Sequence, residues 1–346
     1  MRSDVSIVLS PRDTFSTLAA CVGNLLAHTD PEVPILAVIG GAPEHLRQSW
    51  LRDFGERVSF HFEEHFQGTA AARNWGLAKL DTPLAVAMDT DVFVRPGWLE
   101  PLLECQAETD AMLVVPLMLE RPRLIHCAGN DLYVTRDGEA SYGHKVLRLW
   151  RFPYVDGANL TRERTDYGEL HCQLVKVADT LRLGAYDEKL REVGEVDSGL
   201  VWAREGELWF EPRSVVHFVE DAPLRAEDVE FYAWRWDMRE ILEGYRYFAQ
   251  KWGFDITESG DFKNFLVRRN ARLGLLPRRF PSELSLRVSG ALYKWGWRLR
   301  RLLGLPVEIW EAQRRRALGY DEWPTLETSR ENQQQRSHPT LEKPRG

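Results

Sequence analysis

The chain has 346 residues, 44% hydrophobic and 28% charged, ordinary globular usage that excludes a collagenous, low-complexity or wholly disordered protein. That length is about two domains' worth and is enough to bury a full core. The net charge of −7 gives no argument for nucleic acid as a partner, and 13 Trp, 15 Phe and 10 Tyr offer large aromatic surfaces for burial or for a ligand.

Cys21, Cys105, Cys127 and Cys172 form no C-x-x-C pair, so neither a zinc motif nor a redox motif is visible. Reduced thiols in a cytoplasmic protein are the plain reading. His126-Cys127 and His171-Cys172 are adjacent pairs without a ligand spacing. The N-terminal apolar run is too short for a signal peptide. The longest apolar stretch, Ala111 to Leu119, is interrupted by Pro116 and falls far below the ~20 residues that span a bilayer. No membrane crossing is expected.

In chain order, Val5–Leu9 reads as a buried strand ended by Ser10-Pro11, and Phe15–Ala27 as a helix. Pro34–Ile39 is a second apolar run, Glu44–Phe54 a helix, Val58–Phe62 a strand and Thr69–Lys79 a helix of small residues. Leu84–Met88 is a wholly apolar strand. Strands alternating with helices at this spacing predict an α/β fold with a mostly parallel sheet and helices on both faces. Further on, Leu113–Leu117, Asp131–Thr135 and Ala158–Leu160 are strand candidates, and Asp187–His217 reads as turns and short pieces. Beyond Arg225 the pattern is helical, with Trp and Tyr recurring from Phe231 to Trp252.

Leu84–Met88 delivers Asp89 and Asp91 at its C-terminal end, where open α/β sheets bind their ligands. Residues two apart in an extended chain project to one side, and paired carboxylates suit Mg²⁺ or Mn²⁺ bound with a substrate's phosphates. A polar strand end or Asx turn would look the same. Upstream, Gly68 and Thr69 are placed to open a helix whose N-terminus attracts phosphate. Arg73 lies one turn in, either a fork for phosphate oxygens or the partner of an acid.

Gly68-Thr-Ala-Ala-Ala-Arg73-Asn74-Trp-Gly76, then the apolar strand with D-x-D and Pro96-Gly97-Trp98-Leu99, resembles the family 2 glycosyltransferases of the GT-A fold. The likeness continues through Gly184–Glu188, Gly194-Glu195-Val-Asp197-Ser-Gly199-Leu200, Arg204-Glu-Gly206, Glu211-Pro212 and His217. It covers roughly residues 3–220. The resemblance implies Pro11, Arg73 and Asp89 at the donor, Asp91 and His217 on the metal, and Glu195 as the base, with Asp197 as its alternative. It implies Mn²⁺ or Mg²⁺, a nucleoside-diphosphate-sugar donor, a carbohydrate or lipid-linked acceptor, and inversion in one displacement. One carboxylate base and one metal suffice for that chemistry. Glu195 and Asp197 would also suit a helix N-terminus, and His217 a half-buried strand position. A nucleotidyltransferase or a non-catalytic sugar- or nucleotide-binding protein are the rival readings. The second strand ends Gly40-Gly41-Ala42-Pro43 without the acid that reads the base in the family, so uridine does not follow.

Thirteen basic residues face three acidic ones between Val267 and Leu318, a balance of +10 that leaves −17 on the rest of the chain. Within this segment Leu292, Trp295, Leu299 and Leu302 share a helical face flanked by Lys294, Arg298 and Arg301. Such a helix either lies on an anionic membrane surface or docks on the acidic body. The expected organisation is a GT-A-like domain over 1–222, a helical Trp- and Arg-rich region over 223–324 and a disordered tail over 325–346. The protein is expected in the cytoplasm, peripheral at the inner face of the membrane if the helix binds lipid.

Overall fold

The computed structural model describes residues 4–121, 123–155, 159–219 and 222–256, together with 269, 273, 277 and 279–303. The tail from Thr325, much of the basic segment and Ala158 lie outside these residues; Asn159 and Leu160 carry no strand.

Strands β1 (Val5–Ser10), β2 (Ile35–Gly40), β3 (Ser59–Glu63) and β4 (Leu84–Asp89) alternate with helices α1 (Leu18–His28), α2 (Glu44–Phe54) and α3 (Thr69–Leu77). These four strands pair with one another in parallel, in the order β4-β1-β2-β3. The apolar runs of β1, β2 and β4 lack polar alternation because both faces are covered, whereas β3, at the end of the strand order, alternates as Ser-Phe-His-Phe-Glu and is only partly buried. Leu9, Ile35, Ala37 and Val86 pack with Leu18, Val22, Trp50 and, from α4 (Leu99–Thr109), Leu102. Val8, Val38, Ala85 and Ala87 pack on the other side with Ala72 and Leu77 of α3. The mixed α/β sheet with flanking helices is the architecture that the alternation predicts.

The sheet then extends past β4 through β11 (Cys172–Lys176), β6 (Leu113–Arg121), β12 (Leu208–Phe218) and β10 (Glu163–Arg164). β11 runs antiparallel between β4 and β6, and β12 is parallel to β6. Short β5 (Val92–Val94) pairs with β12, and β7 (Leu124–Cys127) with β6. The region from Asp187 to His217 is more regular than its sequence reads. It holds α6 (Gly194–Trp202) and the eleven-residue β12, and α5 (Val177–Arg182) precedes it. Strands β8 (Asn130–Asp137) and β9 (Ala140–Leu147) form a separate two-stranded hairpin.

Helices α7 (Val229–Arg235) and α8 (Met238–Trp252) pack Tyr232, Ile241 and Phe248, with Trp236 between the helices, against Leu190, Val193 and Val196 beside α6. Polar bonds complete the attachment. Asp228, ahead of α7, accepts hydrogen bonds from the Phe15 and Ser16 amides and from Ser16 Oγ. Residues 11–17 are thereby held as a loop, and α1 starts at Leu18, three residues later than its apolar spacing alone predicts.

Asp228→Ala leaves two amides in this loop without their acceptor, at a cost of about 2 kcal/mol. Thermal unfolding is expected to show Tm lowered by ~4–8 °C, with Asp228→Asn, which keeps an acceptor, losing less.

Candidate active site

The strand order reverses between β1 and β4, the crevice where doubly wound sheets bind ligands. Ser10 at the end of β1 pairs with Asp89 at the end of β4, and the chain turns there through Thr90 and Asp91 into β5. Pro11 follows directly, buried beside Arg12 and Asp13. Asp89 is fully buried. It accepts hydrogen bonds from Arg73 at 2.6 Å and from His171 Nδ1 at 3.0 Å, and Arg12 lies 4.0 Å away. Burial opposes its charge, but the Arg73 guanidinium and the His171 hydrogen bond hold its pKa below the usual carboxylate range.

Arg73 reaches this position because α3 lies very close to the sheet. A Cβ on Gly76, one turn beyond, would come within 2.6 Å of Val8 Cγ1. The guanidinium is itself fully buried and also bonds the Leu170 carbonyl. It serves the site through Asp89 and is not presented to solvent as an open fork.

Asp91 is 5% exposed, and its Oδ1 is buried without a hydrogen-bond partner. Burial and the neighbouring Asp89 charge push its carboxyl well above the usual range. Asp89, Asp91 and His171 each offer a ligand atom within 4.8 Å of the others. Burial pulls the His171 imidazole down to about 4, so the ring is neutral near pH 7. An orphaned carboxylate oxygen beside a second carboxylate is the donor set a hard divalent cation fits. His217 lies on β12 opposite Phe93 and Leu119, and Arg95 Nε donates to its Nε2 at 2.9 Å. Among the described residues, the histidine grouped with Asp91 is His171.

Glu195 and Asp197 both lie in the first turn of α6 and are both buried, but they meet different partners. Glu195 forms an ion pair with Lys145. Burial opposes its charge, and the ammonium nevertheless holds its pKa below the usual range. Lys145 stands opposite buried Leu132 in the β8–β9 hairpin, which turns both side chains toward the body. Asp197 accepts from Trp252 Nε1 at 2.7 Å and from Lys251 at 2.8 Å, tying α6 to α8. Val193, just before α6, is fully buried with φ +62°.

Where the family places an acidic turn after β2, Gly40 and Gly41 are pressed by the segment 65–67. A Cβ on Gly40 would stand 2.4 Å from the His65 carbonyl, and one on Gly41, at φ +72°, 2.3 Å from Phe66 Cδ1. The residues that sequence reasoning missed are Arg12, Lys145, Glu169 and the histidines His126 and His171. Glu169 Oε2 lies 3.9 Å from His171 Nε2, and the His126 and His171 ring centroids are 5.8 Å apart. The two His-Cys pairs were the available signal, since each places a histidine next to a buried cysteine at a strand end.

Asp197→Ala is expected to lower Tm by several degrees, because Trp252 N–H and Lys251 lose their acceptor. Glu195→Gln, whose partner Lys145 can turn to solvent, is expected to leave Tm nearly unchanged. Paired melting curves check both.

Residues 6–124 match the family model described as "Glycosyl transferase family 2". Over 52 residues the chain is 46% identical to the pre-mycofactocin glycosyltransferase of Mycobacterium tuberculosis, in strain CDC 1551/Oshkosh and in strain ATCC 25618/H37Rv. That stretch is 15% of this chain and 11% of those relatives, so the match spans about a tenth of their length. The crystal structure of GalNAc-T7 with UDP, GalNAc and Mn²⁺ superposes with a TM-score of 0.50 at 17% identity, covering 77% of this chain and 54% of that one. S. aureus TarS 1–349 in complex with UDP-GlcNAc gives 0.47 at 9% identity, covering 85% and 92%. Residues 6–124 are thus similar in sequence to the glycosyl transferase family 2 model, and the mixed α/β sheet with its flanking helices is similar in fold to GT-A glycosyltransferases.

Proposed function

We propose that this protein transfers a glycosyl group from a nucleoside-diphosphate sugar to an acceptor hydroxyl, with inversion, in a single displacement. The observation that carries the reading is Asp91, a buried carboxylate with an unpartnered oxygen at the switch point of the sheet. Asp91, with Asp89 beside it, would hold Mn²⁺ or Mg²⁺ together with the donor's diphosphate. Bound there, the cation supplies charge that stabilises the departing nucleoside diphosphate. Arg73 and His171 keep Asp89 ionised and fixed in direction.

Glu195 is the proposed base. In the resting protein its proton-accepting oxygen is occupied by Lys145, so the acceptor hydroxyl displaces the ammonium before proton transfer. The depressed basicity of Glu195 is offset as the hydroxyl becomes acidic while its bond to the sugar forms. Asp197, held by Trp252 and Lys251, is better suited to positioning α6. Pro11 lies at the donor end of β1, and His217 is carried as a ligand only by the family resemblance.

We place the protein at an anionic membrane surface, with a carbohydrate or lipid-linked acceptor. Helix α9 (Glu283–Leu303) exposes Leu284, Val288, Leu292, Trp295, Leu299 and Leu303, which lie on one stripe at helical spacing. Arg287 and Arg298 are exposed alongside. An apolar stripe open to solvent does not fit a helix docked on the acidic body by that face. Among the described residues, no helix is long and apolar enough to cross a membrane, so contact would be interfacial.

Asp91→Asn is expected to abolish Mn²⁺-dependent thermal stabilisation by nucleoside diphosphates, while metal-free Tm is nearly unchanged because Asn fills the same space and the Oδ1 position has no protein partner to lose. Glu195→Gln is expected to keep donor binding and lose ~10²-fold or more in transfer. Normal transfer by Glu195→Gln with loss in Asp197→Asn would exchange the two roles. In vesicle sedimentation, binding to anionic but not neutral vesicles is expected, at about 1 kcal/mol per basic side chain and weakened by salt. Arg287→Glu with Arg298→Glu should weaken it further. No binding to either vesicle type would remove the membrane from the reading.

A further inference from the structure

A second group of donors lies on the far edge of the His171 ring. His126, Glu169 and His171 each offer a ligand atom within 4.8 Å of the others. Both imidazoles have their Nδ1 edge already committed to a carboxylate. His171 Nδ1 bonds Asp89 Oδ2 at 3.0 Å, and His126 Nδ1 bonds Glu120 Oε2 at 3.3 Å. Nδ1–H donation fixes the tautomer and leaves the Nε2 lone pair of each ring as the remaining donor. His171 Nε2 lies 3.9 Å from Glu169 Oε2. Carboxylate behind imidazole, with the other nitrogen turned to a shared point, is how proteins orient and strengthen metal-ligating histidines.

The rings are also fixed in place. His171 stacks on buried Phe218 with centroids 3.8 Å apart, and His126 meets the same ring edge-on at 5.1 Å. Ligands about 2.1 Å from a tetrahedral ion stand about 3.4 Å apart, so modest side-chain rotation closes this group around one ion. Lys145, a nearby cation, is paired with Glu195. His126 and Glu169 are only partly buried, which leaves an approach for the ion.

We infer that His126 Nε2, His171 Nε2 and the Glu169 carboxylate form a second cation site, distinct from the Asp89/Asp91 pair, for a borderline transition ion of the Zn²⁺ or Co²⁺ type. Two imidazoles and one carboxylate select such ions over Mg²⁺. One ring then serves both places, with its Nδ1 edge orienting Asp89 and its Nε2 edge on the second ion. An ion there would strengthen the Nδ1–H donated to Asp89 and so couple the two sites. The site stands independently of the proposed transfer reaction.

The test is Co²⁺ titration of the metal-stripped full chain, read by visible absorption and by paramagnetically shifted proton resonances. The wild type is expected to show a histidine-ligated Co²⁺ spectrum with two exchangeable shifted signals, the Nδ1 protons of His126 and His171. Asp91→Asn should retain that spectrum, whereas His126→Asn and Glu169→Gln should lose it with their circular dichroism unchanged. A wild type without shifted histidine signals overturns the site, and this readout needs no variant to fold. Loss of the spectrum in Asp91→Asn, or its persistence in His126→Asn, also overturns it, because either outcome reduces the two groups to one or to none.

Discussion

The buried charge on Asp89 is the constraint around which the rest of the site is arranged. A carboxylate with no solvent contact is tolerated only when its desolvation is matched by partners of good geometry. Arg73 is the principal one, and it too is fully buried. That requires α3 to lie against the sheet, which Gly76 permits and any side chain there would prevent. His171 supplies the second bond from the segment entering β11. Once Asp89 is held ionised, its charge falls on Asp91, whose own carboxylate lacks such partners. Two acids two residues apart thus reach opposite conditions, one satisfied by protein and one with a buried oxygen left unpartnered.

The C-terminal helices belong to this arrangement as much as the sheet does. Asp13 accepts from Trp236, Asp187 from Tyr247 and Lys251, Asp197 from Trp252 and Lys251, and Asp228 takes the loop after β1. Each aspartate fixes a segment bordering the switch point or the start of α6. The acidic excess of the body is therefore partly structural, serving as a set of acceptors for aromatic N–H and O–H groups and for basic side chains. Trp236 and Trp252 serve the same arrangement, combining apolar burial with a single directed donor.

The first half of the fold was legible because three of its strands, β1, β2 and β4, are buried on both faces and its helices follow a plain 3.6-residue period. Glu44–Phe54 matches α2 to the residue. The later strands were not. β12 carries Glu211-Pro212-Arg213 at a register shift, and buried Glu211 is neutralised by Arg162 and Arg213, which no local pattern shows. In the α6 sequence, Gly194-Glu-Val-Asp-Ser-Gly199, only the two acids suited a helix N-terminus, which is where they lie; the rest reads as turn-like because tertiary packing sustains the helix against weak propensity. At the site, Arg73, Asp89, Asp91 and Glu195 were visible through motif order. His126, His171, Glu169 and Lys145 were not, since β6, β7, β11 and the hairpin bring them together only in the folded sheet.

Val193 bears on how the aim of Glu195 is maintained. A β-branched residue in the left-handed region carries about 1–2 kcal/mol of backbone strain, and here it is retained by complete burial among Leu190, Tyr232, Trp236 and Ile241. Glycine, the usual occupant of such an angle, would relax the backbone and leave a hole in that core. The direction of the first turn of α6 is therefore stored in the shape of a hydrophobic cluster rather than in a turn sequence. Sequence drift at Ile241, an apolar member of that cluster, would be transmitted as a change in where Glu195 points.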